Sequence, residues 1–197
     1  MFADFSGAAV FLIHSIASIY FYILLVRFLA QVAKADFYNP ITQTVVRLTD
    51  PAIKPLRTVL PTVFGVDLAT LATALLVQLL ALALMGLLEG RMVFHITYVA
   101  WVLLGIFAAI LNVYFFGLIV LAIASWIAPY SNHPALTLIY QITEPVCIPA
   151  RKILPPMGGL DFSLLIVLLG ISVIDNYLVV QPLAQMLSVP RGLIPGL

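Results

Sequence analysis

The 197-residue chain matches itself when it is shifted by 94 residues. The register holds without a gap, and it holds through residues that are not merely hydrophobic, so chance alignment of apolar segments does not explain it. The matched pairs are Pro40 with Pro134, Thr49 with Thr143, Asp50 with Glu144, Pro51 with Pro145, Pro55 with Pro149, Arg57 with Arg151, Pro61 with Pro155, Gly65 with Gly159 and Asp67 with Asp161. An internal repeat constrains the whole architecture. It predicts two copies, residues 1–94 and 95–197.

Four apolar runs in the two copies are long enough to cross a membrane, which takes about 20 residues. With 63% hydrophobic and 9% charged residues, and a mean hydropathy of +1.17, a water-soluble fold could not hide the apolar surface. The third run, residues 93–128, is too long for one straight span. A five-helix reading would break the repeat, so we expect a lead-in at 93–101. The predicted spans are about 8–33, 66–88, 102–127 and 160–182.

These spans predict an all-α membrane protein with four transmembrane helices in two hairpins. Because each copy contributes an even number of spans, both copies enter the membrane in the same sense and are parallel repeats. Basic residues mark the cytoplasmic side of membrane proteins. Six of them lie in the two long connections, against Arg91 and Arg191 on the other side, so we expect the connections in the cytoplasm and both termini opposite. The six are Lys34, Arg47, Lys54, Arg57, Arg151 and Lys152.

Each long connection contains a predicted interfacial element, at residues 39–61 and 133–155. In the first copy Asn39 provides a capping side chain and Pro40 opens the helix. Apolar residues then follow at helical spacing, as in a helix that lies in the membrane interface. Packing against the ends of the spans explains the same pattern, and the sequence leaves both readings open.

Two prolines four residues apart follow in each copy, preceded by an acid that can cap a new turn. Each proline removes a backbone donor, so we expect a stiff, bent element and no long regular helix. The residues are Asp50, Pro51 and Pro55 in the first copy and Glu144, Pro145 and Pro149 in the second.

Each connection ends in the pattern Pro-x-x-x-Gly-x-Asp. Gly65 and Gly159 permit a tight reversal, and Asp67 and Asp161 can cap the following span, whose N-terminus favours negative charge. Pairing of these acids with an arginine is a second interpretation. Capping alone is the one we favour from sequence.

Five polar residues lie at membrane depth, where such side chains face the bundle interior, one another or water. Arg27 is near the end of its span, which favours extension to the head groups. For Asp175, a proton- or ion-binding spot and an interface-seated helix end are equally supported. The other three are Gln78, Asn112 and Asn176.

Other functional classes have little support in the sequence. A net charge of +1 gives no basic face for nucleic acid, and Cys147 alone forms neither a disulfide nor a CxxC site. The three histidines show no metal-ligand spacing. Without a catalytic or nucleotide-binding motif, we predict a protein that is not an enzyme and has no cofactor.

The repeated block nevertheless resembles a known family. The segments 37–40, 50–61 and 155–163, with their Asn-Pro, Asp-Pro and Gly-Leu-Asp motifs, are similar to the YggT (YlmG) family of bacterial and plastid membrane proteins. The resemblance covers nearly the whole chain but carries over no catalytic residues. It implies a bacterial inner-membrane location and links to osmotic stress and ion homeostasis, or to cytochrome assembly and division in photosynthetic lineages.

We therefore predict a membrane scaffold, assembly or stress-tolerance factor that acts through membrane lipids or other membrane proteins, with a homo-oligomer also open. The alternatives are oligomeric ion permeation through spans lined by Gln78, Asn112 and Asp175, and cofactor assembly for cytochromes. The candidate docking residues are Asn39, Pro40, Asp50, Pro51, Pro55, Arg57, Glu144, Pro145, Pro149, Arg151, Gly159 and Asp161; the candidate intramembrane polar residues are Arg27, Gln78, Asn112 and Asp175.

Overall fold

The computed structural model describes residues 2–63, 65–90, 95–128, 131–153 and 163–197, with side chains from residue 6 onward. Its helices are α1 (Phe2–Val32), α2 (Pro40–Arg57), α3 (Leu68–Leu88), α4 (Ile96–Ile127), α5 (Pro134–Ile153), α6 (Ser163–Val173) and α7 (Val180–Met186), with a π-helical turn at Ile174–Leu178 between the last two. A short antiparallel hairpin, β1 (Thr62–Val63) and β2 (Val66–Asp67), precedes α3.

Four stretches of helix in the described residues are long and apolar enough to span a membrane: Ser6–Val32, Leu68–Leu88, Ile96–Ile127 and Ser163–Met186. The predicted fold class is confirmed. We expected an interfacial or flexible lead-in at 93–101; helix α4 is continuous from Ile96, so residues 96–101 are not flexible, and the interfacial alternative stays a prediction. Residues 93 and 94 lie outside the described residues. The domain boundary at 94/95 stays a prediction.

The helices of the second copy begin where the 94-residue shift places them. Phe2 and Ile96 start α1 and α4, and Pro40 and Pro134 start α2 and α5, each pair 94 positions apart. The fourth span differs from α3. Pro182 lies near the start of α7 and cannot donate a backbone hydrogen bond, and the chain passes through the π-helical turn just before it. A proline is a common cause of such a break.

The core is built from both copies. Phe21, Leu24 and Leu25 of α1 pack with residues of α3 and α4, among them Val102. A second cluster joins Phe28 and Leu29 of α1 to Leu138 and Ile142 of α5. A third, within the second copy, contains Cys147, which is buried as a small apolar residue.

The segment after α7, residues 187–197, folds back onto α4. Trp101 donates from its indole nitrogen to the carbonyl oxygen of Leu187 at 3.0 Å, and Ile194 is buried beside Gly105. A Cβ atom on Gly105 would lie 2.2 Å from Ile194 Cγ2, so only glycine fits. Gly196, at φ +95°, lies against Ala109. We call this segment the tail.

Candidate functional site

Helix α2 continues through both of its prolines, and α5 does the same. The predicted break at Pro51 and Pro55 is therefore wrong, as it is for Pro145 and Pro149. The side of α2 that packs on the protein carries Thr49 and Ile53, both fully buried. The prolines are exposed, about half a turn away on the helix. Their rings meet no neighbouring span there, and the carbonyls they leave unbonded lie on the outer side.

The sequence left two interpretations of the interfacial helix: a helix that lies in the membrane interface, and a helix that packs against the ends of the spans. The structure relates them to two different sides of α2. Thr42, Thr49 and Ile53 are buried against the spans, whereas Ile41 and Leu48 of the apolar stripe are exposed. The exposed stripe faces away from the spans, and the buried side fixes the helix on the bundle. At its start Asn39 accepts a hydrogen bond from the backbone nitrogen of Ile41, which confirms the predicted cap.

Arg27 joins α1 to α2 and does not extend to the head groups. Its side chain is only 6% exposed. Nη1 donates to the carbonyl oxygen of Val46 at 3.1 Å and to Oγ1 of Thr49 at 2.6 Å, and Nη2 lies 2.7 Å from Oδ1 of Asp50. The sequence-based reading was wrong because these partners lie about 20 residues away, outside any local pattern.

Arg57 and Asp67 fix the other end of α2 to α3. Asp67 is fully buried. Its Oδ1 accepts from the backbone nitrogen of Ala69 at 3.1 Å, and its Oδ2 forms an ion pair with Arg57, whose Nε lies at 3.2 Å. Capping and pairing therefore occur together, so capping alone was too narrow a prediction. Gly65, at φ +83°, makes the predicted reversal between them.

Both carboxylates have a lowered pKa. Burial alone would raise the pKa of Asp67, but hydrogen bonds from Arg57 and Thr70 and the charge of Arg57 outweigh it. Burial also opposes ionisation of Asp50, and there Arg27 and Lys54 lower the pKa below its ordinary value. Asp50 and Asp67 are thus ionised and structural at neutral pH.

The second copy arranges its charges differently. Leu121 stands at the position that corresponds to Arg27. Glu144, which corresponds to Asp50, instead binds Arg151 within the same helix, with Nη1 at 2.7 and 2.8 Å from its two carboxylate oxygens. Gly159 and Asp161 lie outside the described residues.

Two hydrogen bonds join the interfacial helices of the two copies. Asn39 donates from Nδ2 to the carbonyl oxygen of Pro134 at 2.8 Å, and the backbone nitrogen of Asp36 donates to Oε1 of Gln141 at 3.0 Å. The sequence analysis missed Gln141. Asp36 and Asn39 lie in the turn before α2, so we call this turn (residues 36–39), α2 and α5 together the platform.

A cleft lies between the first span and the interfacial helix of each copy. Cleft A, about 490 Å³, is lined by Arg27, Gln31, Lys34, Asp50 and Arg57 with apolar neighbours. Cleft B, about 420 Å³, is lined at the matching positions by Leu121, Ser125, Ala128, Glu144 and Arg151. The repeat therefore builds the same cavity twice with different chemistry.

The polar residues inside the spans lie apart. Gln78 is buried on α3 with Nε2 unpartnered, and Asn112 donates to the tail carbonyl of Gly196 at 3.5 Å. Asp175 lies in the π-helical turn with Oδ1 buried and unpartnered. Among the described residues, no three His, Cys, Asp or Glu side chains are grouped for a metal.

These features define a four-span membrane protein of two tandem repeats, each with an interfacial helix locked to its spans. The chain belongs to the CCB3/YggT family, whose model matches it twice, at residues 6–88 and 100–182. It is 41% identical over 188 residues to an uncharacterised protein of Pseudomonas aeruginosa, covering 94% of this chain and 95% of the relative.

Two other relatives match over most of their length. Identity is 36% over 163 residues to an uncharacterised protein of Vibrio alginolyticus, covering 82% of this chain and 88% of the relative. It is 34% over 188 residues to the uncharacterised protein YggT of Escherichia coli, covering 95% of each. No solved structure gives a significant match.

Proposed function

We propose that the chain is a non-enzymatic membrane scaffold whose platform docks a partner protein, in an assembly or stress-tolerance role. The observation that supports this is the pair of hydrogen bonds from Asn39 to Pro134 and from Asp36 to Gln141, which joins the interfacial helices of both copies. Two independent interfacial anchors would not need this connection. A single rigid surface that includes both helices does need such a connection.

The exposed residues of the platform suit contact with a partner. Tyr38, in the turn before α2, is 83% exposed, and Tyr140 and Ile148 on α5 are also exposed. Meanwhile Asn39, Asp50 and Arg57 make contacts within the chain. The motif residues thus hold the platform in shape, and the exposed side chains are left for recognition.

Co-purification after gentle detergent extraction tests this role. The double variant Asn39→Ala and Gln141→Ala should remain inserted and folded but lose a protein that the unaltered chain retains. Thr44→Ala is the matched control, because its hydroxyl bonds only within α2, to the carbonyl oxygen of Pro40. An identical set of retained proteins in the double variant would contradict the proposal.

The proposed location is the bacterial inner membrane with the platform in the cytoplasm. Cys147 is buried and is the one native cysteine, so introduced cysteines report separately. A membrane-impermeant thiol reagent on whole cells should label Glu89→Cys and not Arg47→Cys. The reverse pattern would place the platform outside.

A second candidate, ion permeation through an oligomer, is favoured by the unpartnered buried atoms of Gln78 and Asp175. Such groups cost free energy in hydrocarbon unless an ion, water or another chain meets them. Purified protein in liposomes should then release potassium, and Asp175→Asn should reduce the release. Liposomes that stay tight at high protein density would eliminate this candidate.

A further inference from the structure

Cleft A and cleft B are equivalent in position, so a comparison of their linings isolates what is special to each. Two differences at matching positions change the charge: Arg27 against Leu121 and Lys34 against Ala128. Three more change the polarity: Phe37 against Ser131, Thr42 against Leu136, and Val46 against Tyr140. Cleft A therefore carries three cationic side chains and one carboxylate. Cleft B carries one of each, Arg151 and Glu144, and these bind each other.

Two of the three cationic side chains that line cleft A already form ion pairs within the chain. Arg27 is held by Asp50, and Arg57 is held by Asp67. Lys54, outside the lining, also contacts Asp50 at 3.1 Å. Counting these six groups, four cations face two carboxylates. Asp36, two residues from Lys34, adds a third carboxylate nearby, and its Oδ1 accepts from the backbone nitrogen of Tyr38 at 2.9 Å. With Asp36 included, the net charge of these groups is about +1.

Lys34 stands out by its backbone. Its φ is +52°, in the left-handed region that favours glycine. It ends α1 in a Schellman turn, with Lys34 N bonded to Gln31 O at 3.1 Å and Ala35 N bonded to Ala30 O at 2.8 Å. A lysine here costs conformational energy that glycine would not. A strained residue is an indication of function when its side chain lines a cavity.

The apolar part of cleft A indicates an amphiphilic ligand. Val26, Val45 and Leu138 line it together with the cationic groups. Phe37, in the turn before α2, also lines it and is exposed. The cavity lies where the span Ser6–Val32 ends and the interfacial helix crosses it, which is the depth of lipid head groups.

We propose that cleft A binds the phosphate of an anionic phospholipid, with Lys34 and Arg57 as its cationic contacts and the apolar lining against the upper acyl chain. Arg27 shapes the site from behind α2. Cleft B, with Leu121 and a closed Glu144–Arg151 pair, does not bind this ligand. The site is separate from the partner-docking role, and each can fail without the other.

Native mass spectrometry of the protein from nanodiscs of phosphatidylcholine with one-fifth phosphatidylglycerol tests the proposal. Lys34→Gly should retain phosphatidylglycerol about fivefold less, the factor that corresponds to about 1 kcal/mol per basic residue at an anionic surface. Since glycine suits this backbone, the unfolding temperature of the Lys34→Gly variant should equal or exceed that of the unaltered protein. Lys34→Arg should keep the lipid.

Lys152→Gln is the matched control, because it removes the same charge from an exposed position of α5 outside cleft A. It should retain phosphatidylglycerol like the unaltered protein. Equal retention by Lys34→Gly and the unaltered protein would overturn the proposal. Displacement of the lipid by millimolar inorganic phosphate would also overturn it, because the site would then recognise a free anion.

Discussion

The two copies hold the same helices in place with different charge networks. In the first copy, Arg27 reaches across from the span to Asp50, and Arg57 reaches Asp67 on the next span. In the second, Glu144 and Arg151 pair within one helix. The first copy therefore uses ion pairs between helices. The second leaves the contact between α4 and α5 to apolar packing that includes Leu118 and Cys147.

The difference shows which parts of the repeat the fold requires. Both copies keep the capped start, the two exposed prolines and a buried threonine, Thr49 or Thr143, that bonds back to the preceding turn at 2.6 or 2.9 Å. The inter-helix arginine is kept in one copy only. The interfacial helix is thus a property of the repeat, whereas the ion pair from Arg27 to Asp50 is a property of the first copy.

Arg27→Leu, which installs the residue found at the matching position of the second copy, tests this conclusion most strongly. It should lower the free energy of unfolding by about 3 kcal/mol, because the contacts of Arg27 with Val46 and Thr49 are lost and Asp50 keeps only the exposed Lys54 as its partner. Thermal unfolding in detergent measures this. Adding Asp50→Leu should restore most of the loss, since an apolar pair often replaces a buried ion pair at little cost. A single variant as stable as the unaltered chain would contradict this role of the ion pair.

Arg57→Met and Arg151→Met compare matching positions directly. Arg57 is 40% exposed, but its partner Asp67 is fully buried and keeps its charge when the arginine is lost. We expect a loss of about 2 kcal/mol for Arg57→Met. For Arg151→Met we expect a smaller loss, about 1 kcal/mol, because Glu144 is 28% exposed and is better solvated than the fully buried Asp67 when its arginine is lost. Chemical denaturation of the two variants measures these losses. Equal losses of stability would contradict the proposed difference between the two copies.

Acidification should weaken the ion pairs of Asp50 and Asp67 in the first copy. We expect this effect on stability to be smaller than those of the arginine substitutions. The pKa values of Asp50 and Asp67 are lowered in the fold, so their stabilisation is complete above the unfolded value of about 3.9. It is lost as the pH falls through the lowered values. The unfolding temperature should fall as the pH drops below about 4. Asp67→Asn should be less stable at neutral pH and show a shallower fall; an unchanged slope would contradict the assignment.

The fold could largely be predicted from the sequence, because the repeat gives the helices of one copy a matching partner in the other. The start of α5 at Pro134 follows from that of α2 at Pro40, and the cap at Asn39 follows from local chemistry. Arg27 and the prolines were misread for one reason. Their effect depends on which side of a helix faces a neighbour, and that neighbour is distant in the chain. Gln141, which accepts the hydrogen bond from Asp36, could not be predicted, because a single amide contact produces no periodic pattern in the sequence.

The tail has no counterpart in the repeat, and it reaches the middle of helix α4. Gly196 meets α4 beside Asn112, near the midpoint of Ile96–Ile127. Leu197, the residue after Gly196, is half-buried at this contact. A fluorescent or enzymatic reporter attached there would pull residues 187–197 out of the bundle. A fusion of that kind would report on a damaged protein, so labels belong in the exposed turns of the platform.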